Sequence, residues 1–179
     1  NISFKEEKII TEIDLEEIIQ SGEHSYLEFK STLRWNMEYL KVDKRMEEVI
    51  LKSISAFSNR DGGKLLIGVA DDGEILGLED DYNSLKEGNK DHFELHLRNL
   101  INNSFGKEFA VTRIHFNFPV IEEIELCEID IQAGPMPLFL EVTDKKGIKQ
   151  KKFYVRSGNS SQELAIDEVS SYIKNRFDN

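Results

Sequence analysis

The sequence contains little cysteine and no long apolar run. Cys127 is the only cysteine among 179 residues, so an internal disulfide framework is excluded and we expect a reducing, cytoplasmic location. No apolar stretch approaches the length of a membrane-spanning helix, so we expect no membrane partner. The chain also lacks internal repeats and low-complexity tracts, which excludes repeat architectures.

Positive charge is scarce as well. The chain has 23 lysines and arginines against 34 aspartates and glutamates, which gives a net charge of −11. The summed field of such a protein repels phosphate, so a protein that coats nucleic acid by bulk attraction is excluded. Nucleic-acid binding would therefore need a local basic patch or bound metal ions.

The chain is long and apolar enough for one stable domain. Hydrophobic residues make up 39% of it, enough to form a core without disulfide or metal crosslinks. We expect residues 1–13 to form a flexible lead-in and residues 14–179 to form a single domain. Because the chain begins with Asn1, we expect this domain to belong to a longer protein.

Hydrophobic periodicity predicts both helices and strands. Helices are predicted at residues 14–21, 43–59, 93–105 and 166–177, where apolar residues recur every three or four positions. Strands are predicted at 26–30, 64–70, 74–78, 109–118, 121–132, 138–142 and 152–156, and residues 31–42 are predicted to be irregular. Hairpins and crossovers occur together, which favours an α+β (mixed α/β) fold over a doubly wound Rossmann domain.

Three acidic residues and a lysine form the first candidate site. Glu28 and Lys30 are two apart on a predicted strand and point the same way, Glu23 precedes that strand, and Asp71 follows the central strand. If the strands are neighbours, the carboxylates converge as ligands for Mg²⁺ or Mn²⁺, which would activate water beside Lys30. The alternative is that Glu28 and Lys30 form an exposed ion pair and Asp71 opens a turn.

One basic stretch is present. Residues 141–156 contain six basic and two acidic residues, and a turn rich in serine and glycine follows them. The stretch could contact a phosphate backbone, or it could be a solvated hairpin that connects to the last helix. The residues expected to contact nucleic acid are Lys149, Lys151, Lys152, Arg156, Ser157 and Asn159.

Two further patterns carry weaker signals. Gly62-Gly63-Lys64 suggests ATP binding, but Leu65 follows the lysine and the segment enters a strand, so a tight turn that requires glycine is favoured. His92 and His96 are one helical turn apart and could share Zn²⁺. We interpret them as exposed helix histidines because a third ligand is not evident.

Five segments form an ordered set along the chain. They are residues 23–30 (EHSYLEFK), 54–59 (ISAFSN), 62–69 (GGKLLIGV), 71–73 (DDG) and 153–160 (FYVRSGNS). In this order they resemble the Schlafen AlbA-like domain, over nearly the whole chain. The resemblance implies a mixed, mostly antiparallel sheet flanked by about four helices.

The same resemblance implies a function. Such domains bind nucleic acid, and some Schlafens cleave tRNA and rRNA with a metal-bound acidic triad whose positions Glu23, Glu28 and Asp71 occupy here. We therefore expect a metal-dependent endoribonuclease acting on structured RNA. The alternative is a non-catalytic module that binds DNA or RNA, or mediates assembly, within a bacterial regulatory or defence protein. Nuclease Schlafens pair two lobes, so a homodimer or further domains would have to supply the second.

Overall fold

The computed structural model describes residues 15–178 of the chain. The predicted lead-in over residues 1–13 and the start of the first predicted helix at Asp14 lie outside the described residues. The described helices are α1 (15–20), α2 (Lys44–Ser58), α3 (Glu79–Asn83), α4 (Lys90–Phe105), α5 (Lys107–Arg113) and α6 (Ile166–Phe177).

The strands are short and numerous. In chain order they are β1 (Leu27–Lys30), β2 (Trp35–Asn36), β3 (Lys41–Val42), β4 (Gly63–Ile67), β5 (Ile114–Asn117), β6 (Val120–Ile121), β7 (Ile124–Glu125), β8 (Cys127–Ile131), β9 (Leu140–Thr143), β10 (Lys149–Lys152), β11 (Tyr154–Ser157) and β12 (Ser160–Glu163).

A four-stranded sheet in the order β1-β4-β8-β5 lies at the centre of the fold. The β1 and β4 strands run parallel, with Glu28 opposite Leu65, whereas β4–β8 and β8–β5 are antiparallel. The other strands form two-stranded hairpins around this sheet. The observed architecture confirms the α+β prediction and the mixed, mostly antiparallel sheet.

The sheet separates two apolar clusters. On one face, Leu27 and Phe29 of β1 pack with α1 and with Leu66 of β4. The opposite face carries the larger cluster, which includes Ile54 and Phe57 of α2 and part of α4. Because side chains alternate along a strand, Glu28 of β1 faces this second side, toward α2. The alternation of side chains therefore places the Glu28 carboxylate on the face of the sheet that α2 covers.

The α2 helix confirms the helix predicted over residues 43–59. Asp43 caps its first turn by accepting a hydrogen bond from the Arg45 backbone N–H at 3.0 Å. At its other end the buried Asn59 side chain donates to the carbonyls of Leu138 and Tyr154, both at 2.9 Å, and accepts from the Leu138 N–H at 2.8 Å. Asn59 therefore fixes β11 against the end of α2.

Residues 31–42 were predicted to be irregular, but they contain the small β2–β3 hairpin. The buried Asp81 carboxylate orders its start by accepting hydrogen bonds from the backbone N–H groups of Leu33, Arg34 and Trp35, at 2.6, 2.9 and 3.0 Å. Asp81 lies almost fifty positions away along the chain, so no local pattern could have shown this order.

Three predicted strands were wrong in extent. Residues 109–113 belong to α5, since Gly106 with φ of +88° ends α4 and Phe109 and Ala110 then pack into the core as helix residues. The predicted strand at 121–132 is divided by a turn at Glu122 and Glu123, both with positive φ.

The predicted return strand at residues 74–78 reduces to a single bridge between Val69 and Ile75. The reason is that the Gly68 carbonyl accepts from both Leu76 and Gly77, which closes a loop and prevents a longer ladder. No helix within residues 15–178 is long and apolar enough to cross a bilayer.

Candidate functional site

Glu28 is the centre of a buried ion-pair network between β1, α2 and β11. Its Oε1 forms an ion pair with Lys30 Nζ at 2.7 Å and accepts a hydrogen bond from Ser53 Oγ at 2.8 Å, while Oε2 pairs with Arg156 Nη1. Glu28 is only 6% exposed. Two cations and a hydroxyl therefore occupy both of its carboxylate oxygens.

Arg156 is the partner that sequence reasoning missed. It is 2% exposed, its Nη2 donates to the His24 carbonyl at 3.1 Å, and its guanidinium lies 4.4 Å from the centroid of the Phe57 ring. Burial lowers the pKa of the guanidinium from its ordinary value, and the charges of Glu28 and Glu23 act in the opposite direction. The signal in the sequence was weak: Arg156 follows two apolar residues in a strand, as a buried residue would.

The described arrangement does not present Arg156, which was expected to contact nucleic acid, at the surface. Its guanidinium lies inside the fold, pairs with Glu28 and also donates to Ser161 Oγ at 3.2 Å. Its two terminal nitrogens are therefore already engaged, one by Glu28 and Ser161 and the other by the His24 carbonyl. The residue instead joins the C-terminal β11–β12 hairpin to the central sheet.

Glu23 has a structural contact of its own. Its Oε1 accepts a hydrogen bond from the Phe29 backbone N–H at 2.7 Å. This satisfies an N–H on the outer edge of β1, because β4 pairs with the other edge. Glu23 thus stabilises the strand that carries Glu28.

Asp71 lies apart from this network, exposed in the turn after β4. That turn is closed by a hydrogen bond from the Gly73 N–H to the Ala70 carbonyl at 2.9 Å. Among residues 15–178, no group of three or more histidines, cysteines, aspartates or glutamates is placed to hold a metal ion. The described arrangement therefore does not bring Glu23, Glu28 and Asp71 together as ligands for Mg²⁺ or Mn²⁺.

Most of the predicted basic residues lie on one exposed hairpin. We call β9, β10 and the turn between them the lysine hairpin; its lysines are Lys145, Lys146, Lys149, Lys151 and Lys152. Lys149 pairs with Glu141 and Lys152 with Glu163, both at 2.8 Å, and each pairing raises the pKa of the ammonium group.

The tip of the lysine hairpin has a defined shape. Asp144 Oδ1 accepts hydrogen bonds from the backbone N–H groups of Lys146 and Ile148, at 2.8 and 2.9 Å. Lys145, Lys146 and Lys151 are exposed, and none of them forms a salt bridge with another described residue. Of the remaining predicted contact residues, Ser157 and Asn159 are exposed in the separate β11–β12 turn.

The Gly62-Gly63-Lys64 segment is explained by packing. A Cβ at Gly62 would lie 2.5 Å from the Ile131 carbonyl oxygen, and one at Gly63 would lie 2.4 Å from the Phe57 ring. The Lys64 ammonium pairs with Glu128 at 2.8 Å and Asp130 at 3.1 Å. These glycines therefore allow the close approach of neighbouring backbone and ring, and the lysine is held by carboxylates.

His92 and His96 lie on α4, as predicted, but both are half-buried rather than exposed. His96 Nε2 lies 2.7 Å from Glu47 Oε1, a contact across the fold that pattern reasoning could not locate. Because no metal-binding group of three such residues occurs within residues 15–178, these histidines are not joined by a third ligand in this arrangement.

Comparison with known families identifies the domain. The profile of the family described as Schlafen, AlbA_2 matches residues 23–165. The chain belongs to this family. The matched region runs from Glu23, through β1 and the central sheet, to the end of the β11–β12 hairpin, so it contains both Glu28 and Arg156. Membership confirms the resemblance seen in the ordered segments and indicates a function related to nucleic acid.

A solved structure shares the fold. The crystal structure of the DIP2311 protein from Corynebacterium diphtheriae matches with a TM-score of 0.57 and 16% sequence identity, over 95% of this chain and 32% of that chain. The chain thus spans about a third of the length of that protein. At this identity the likeness shows the fold alone.

Proposed function

We propose that this Schlafen AlbA_2 domain binds nucleic acid through the lysine hairpin, with structured RNA as the preferred ligand. The observation that carries the proposal is the exposure of Lys145, Lys146 and Lys151 on one hairpin without salt-bridge partners in the described residues. Family membership supports a nucleic-acid ligand, and we propose in addition that the lysine hairpin is the surface that binds it.

The overall charge of −11 limits the affinity of this protein for nucleic acid. The protein as a whole repels a polyanion, so attraction has to come from lysines that project away from the acidic body. The lysine hairpin meets this need, because its tip is exposed and its ammonium groups can reach phosphates. Binding by a few lysines is weak and depends strongly on salt.

The hairpin also offers a regular spacing. Lys149 and Lys151 are two positions apart on β10 and point to the same side. The Lys149 ammonium pairs with the Glu141 carboxylate at 2.8 Å, so it would have to exchange a carboxylate for a phosphate. Lys151 lies opposite Glu141 in the strand register but forms no salt bridge in the described residues, and neither do the two tip lysines, so these three are the first contacts we propose.

Hydrolysis of RNA is the finer hypothesis. It assigns metal ligation to Glu23, Glu28 and Asp71, with assistance from Lys30. The residues do not fit a metal in the described arrangement, because Glu28 is occupied by Arg156, Lys30 and Ser53. We therefore derive no metal-dependent step, and binding without cleavage is the function that the geometry supports best.

A binding measurement with a matched charge control tests the proposal. Fluorescently labelled tRNA, single-stranded RNA and duplex DNA are titrated with the wild-type chain, with the triple variant Lys145→Glu, Lys146→Glu, Lys151→Glu, and with a control. The control carries Lys44→Glu, Lys107→Glu and Lys174→Glu, which are exposed lysines outside the hairpin and give the same net charge.

We expect the hairpin variant to bind at least tenfold more weakly than the control, with tRNA bound more tightly than duplex DNA. Equal losses in both variants would show that net charge alone governs binding and would overturn the assignment to the hairpin. Absence of binding by the wild-type chain would overturn the proposal itself.

The same samples test hydrolysis. Labelled tRNA is incubated with the wild-type chain or with Glu28→Gln, in Mn²⁺ or in EDTA. Intact RNA in all four reactions is the expected result. Cleavage that requires both Mn²⁺ and Glu28 would show that the acidic residues rearrange to bind metal, and would make this domain a nuclease.

A homodimer is the remaining proposal about partners, since it would supply a second lobe. Light scattering at the concentrations used for binding gives the mass in solution directly. A mass near 41 kDa would support the dimer, because one chain has a mass of 20.7 kDa.

A further inference from the structure

A second cationic site lies between α4 and the segment that precedes the β2–β3 hairpin. It is a cavity of about 320 Å³, which is within the size range of small-molecule pockets. Its polar lining includes Arg34, Lys86, His92 and His96, from three separate parts of the chain. In a protein with a net charge of −11, such a concentration of basic groups in one cavity is unusual.

The α4 helix contributes one continuous wall. His92, Leu95, His96 and Asn99 follow the spacing of a single helix face, so they line the cavity over two turns. His92 lies in the first turn of α4, where the helix dipole adds positive potential. The wall therefore combines nitrogen groups with one exposed apolar side chain, Leu95.

Arg34 is held in position by its backbone. The Arg34 N–H donates to Asp81 Oδ1 at 2.9 Å, and its carbonyl accepts from the Asp43 N–H at 2.8 Å. Its Nε lies 3.3 Å from Glu47 Oε1, an ion-pair distance. Within residues 15–178, the two terminal nitrogens of the guanidinium form no hydrogen bond. A guanidinium that contacts Glu47 through Nε alone keeps its two terminal nitrogens for a phosphoryl group, which it can bind in bidentate fashion.

The charge balance of the cavity remains positive. Glu47 is the buried acid that contacts it, and it pairs with both Arg34 and His96. Lys86 and the His92 side chain form no hydrogen bond or ion pair with another described residue. One carboxylate therefore offsets part of the charge and leaves Lys86 and His92 available to a ligand.

The apolar side chains in the cavity indicate which chemical group accompanies the phosphoryl group in the ligand. Leu85 and Leu95 line the same cavity as the cations, and Leu95 is 53% exposed. Free inorganic phosphate would use the cations and leave these leucines uncovered. A phosphate attached to a ring system would use both surfaces.

We propose that this cavity binds a phosphorylated nucleoside, with the phosphoryl group against Arg34, Lys86 and His92 and the nucleoside against Leu85 and Leu95. The nucleotide is either free or the terminal nucleotide of a strand. The site is separate from the lysine hairpin, so it does not depend on the function proposed above.

Amide chemical-shift changes and calorimetry on the full chain test the proposal. The probes are AMP, adenosine, inorganic phosphate, and a six-nucleotide RNA with either a 5′-phosphate or a 5′-hydroxyl. The variant is Lys86→Gln, an exposed position whose change leaves the core intact, and the control is Lys107→Gln on α5.

We expect AMP to shift the amides of His92, Leu95 and His96, and Lys86→Gln to weaken AMP binding at least fivefold while Lys107→Gln binds like the wild type. Adenosine and inorganic phosphate should each bind at least tenfold more weakly than AMP. Tighter binding of the 5′-phosphorylated RNA than of AMP would assign the site to a strand end, and the reverse order to a free nucleotide.

The result that would overturn the proposal is equally direct. It is contradicted if AMP leaves these amides unshifted, if adenosine binds as well as AMP, or if Lys86→Gln binds AMP like the wild type. Because the site is separate from the lysine hairpin, the triple variant of the hairpin lysines should bind AMP like the wild type. If that variant lost as much AMP affinity as Lys86→Gln does, the proposal would also be contradicted.

Discussion

Arg156 and Glu28 are 128 positions apart in the chain, and their side chains form a buried ion pair. The pair joins the β11–β12 hairpin to the first strand of the central sheet. Each charge is buried, so each depends on the other for its compensation. From the sequence, Glu28 was expected to bind a metal and Arg156 to contact phosphate. In the structure the two side chains instead bind each other and connect two parts of the fold.

The first prediction concerns this pair. Arg156→Met should destabilise the fold by about 3–5 kcal/mol, because among residues 15–178 it leaves the buried Glu28 with Lys30 as its only charged partner. Urea unfolding of the wild type and the variant measures the difference. Ser161→Ala is the control, since it removes only a hydroxyl at 3.2 Å from Arg156 and should cost much less.

A double-mutant cycle extends this prediction. Glu28→Gln with Arg156→Met should cost clearly less than the two single changes added together, because the double variant removes both members of the buried pair and leaves neither one facing an uncharged partner. Strict additivity in the unfolding free energies would show that the two side chains do not interact in solution.

The second prediction concerns the Asp81 carboxylate. Asp81→Asn should destabilise the chain by about 1–3 kcal/mol, because an amide nitrogen would face one of the three backbone N–H donors that Asp81 now accepts from. Asp80→Asn, one position earlier and exposed, is the matched control. Thermal or urea unfolding gives the comparison, and equal stability of the two variants would contradict the proposed role.

The third prediction concerns pH. The hydrogen bonds and charge of Arg45 lower the pKa of Asp43 to about 2, from an ordinary value of 3.8. Because the folded pKa is the lower one, the stabilisation from Asp43 is present above pH 3.8 and is lost as the pH falls toward 2. Carboxyl NMR titration should give a midpoint near 2, and Arg45→Gln should raise it. An unchanged midpoint in Arg45→Gln would contradict the assigned cause.

The fourth prediction concerns salt. If the lysine hairpin contacts phosphates, Lys145→Gln, Lys146→Gln and Lys151→Gln together should reduce the slope of log affinity against log salt by roughly 2 units, as expected for the loss of three phosphate contacts. Titrations of tRNA at several salt concentrations measure the slope. A weaker affinity with an unchanged slope would show that these lysines act indirectly.

Local patterns predicted the long helices well. The apolar stripe and Asp43 located α2, and the periodic residues located α4 and α6, because a helix buries one face and its caps are local. Strands were harder. Residues 109–113 are apolar enough for either state, and their helical state depends on Gly106 and on packing against α4.

The candidate site also has one part that the sequence predicted and one part that it did not. Sequence order placed Glu28 and Lys30 on one side of β1, and the structure confirms it with a contact of 2.7 Å. The burial of Arg156 was not predictable, because it depends on a partner in another strand. The cavity beside Arg34 likewise depends on Asp81, which orders a distant backbone segment.

The sequence alone therefore determined the class of fold, the main helices, the family and the exposed lysines, because these follow from composition, periodicity and ordered motifs along the chain. Tertiary structure decided which charges are buried and with whom they pair. Glu28 could have bound a metal, water or a cation of the protein, and only the packing of β11 against α2 brings Arg156 to it. Such pairings join residues far apart in sequence, so no local pattern encodes them.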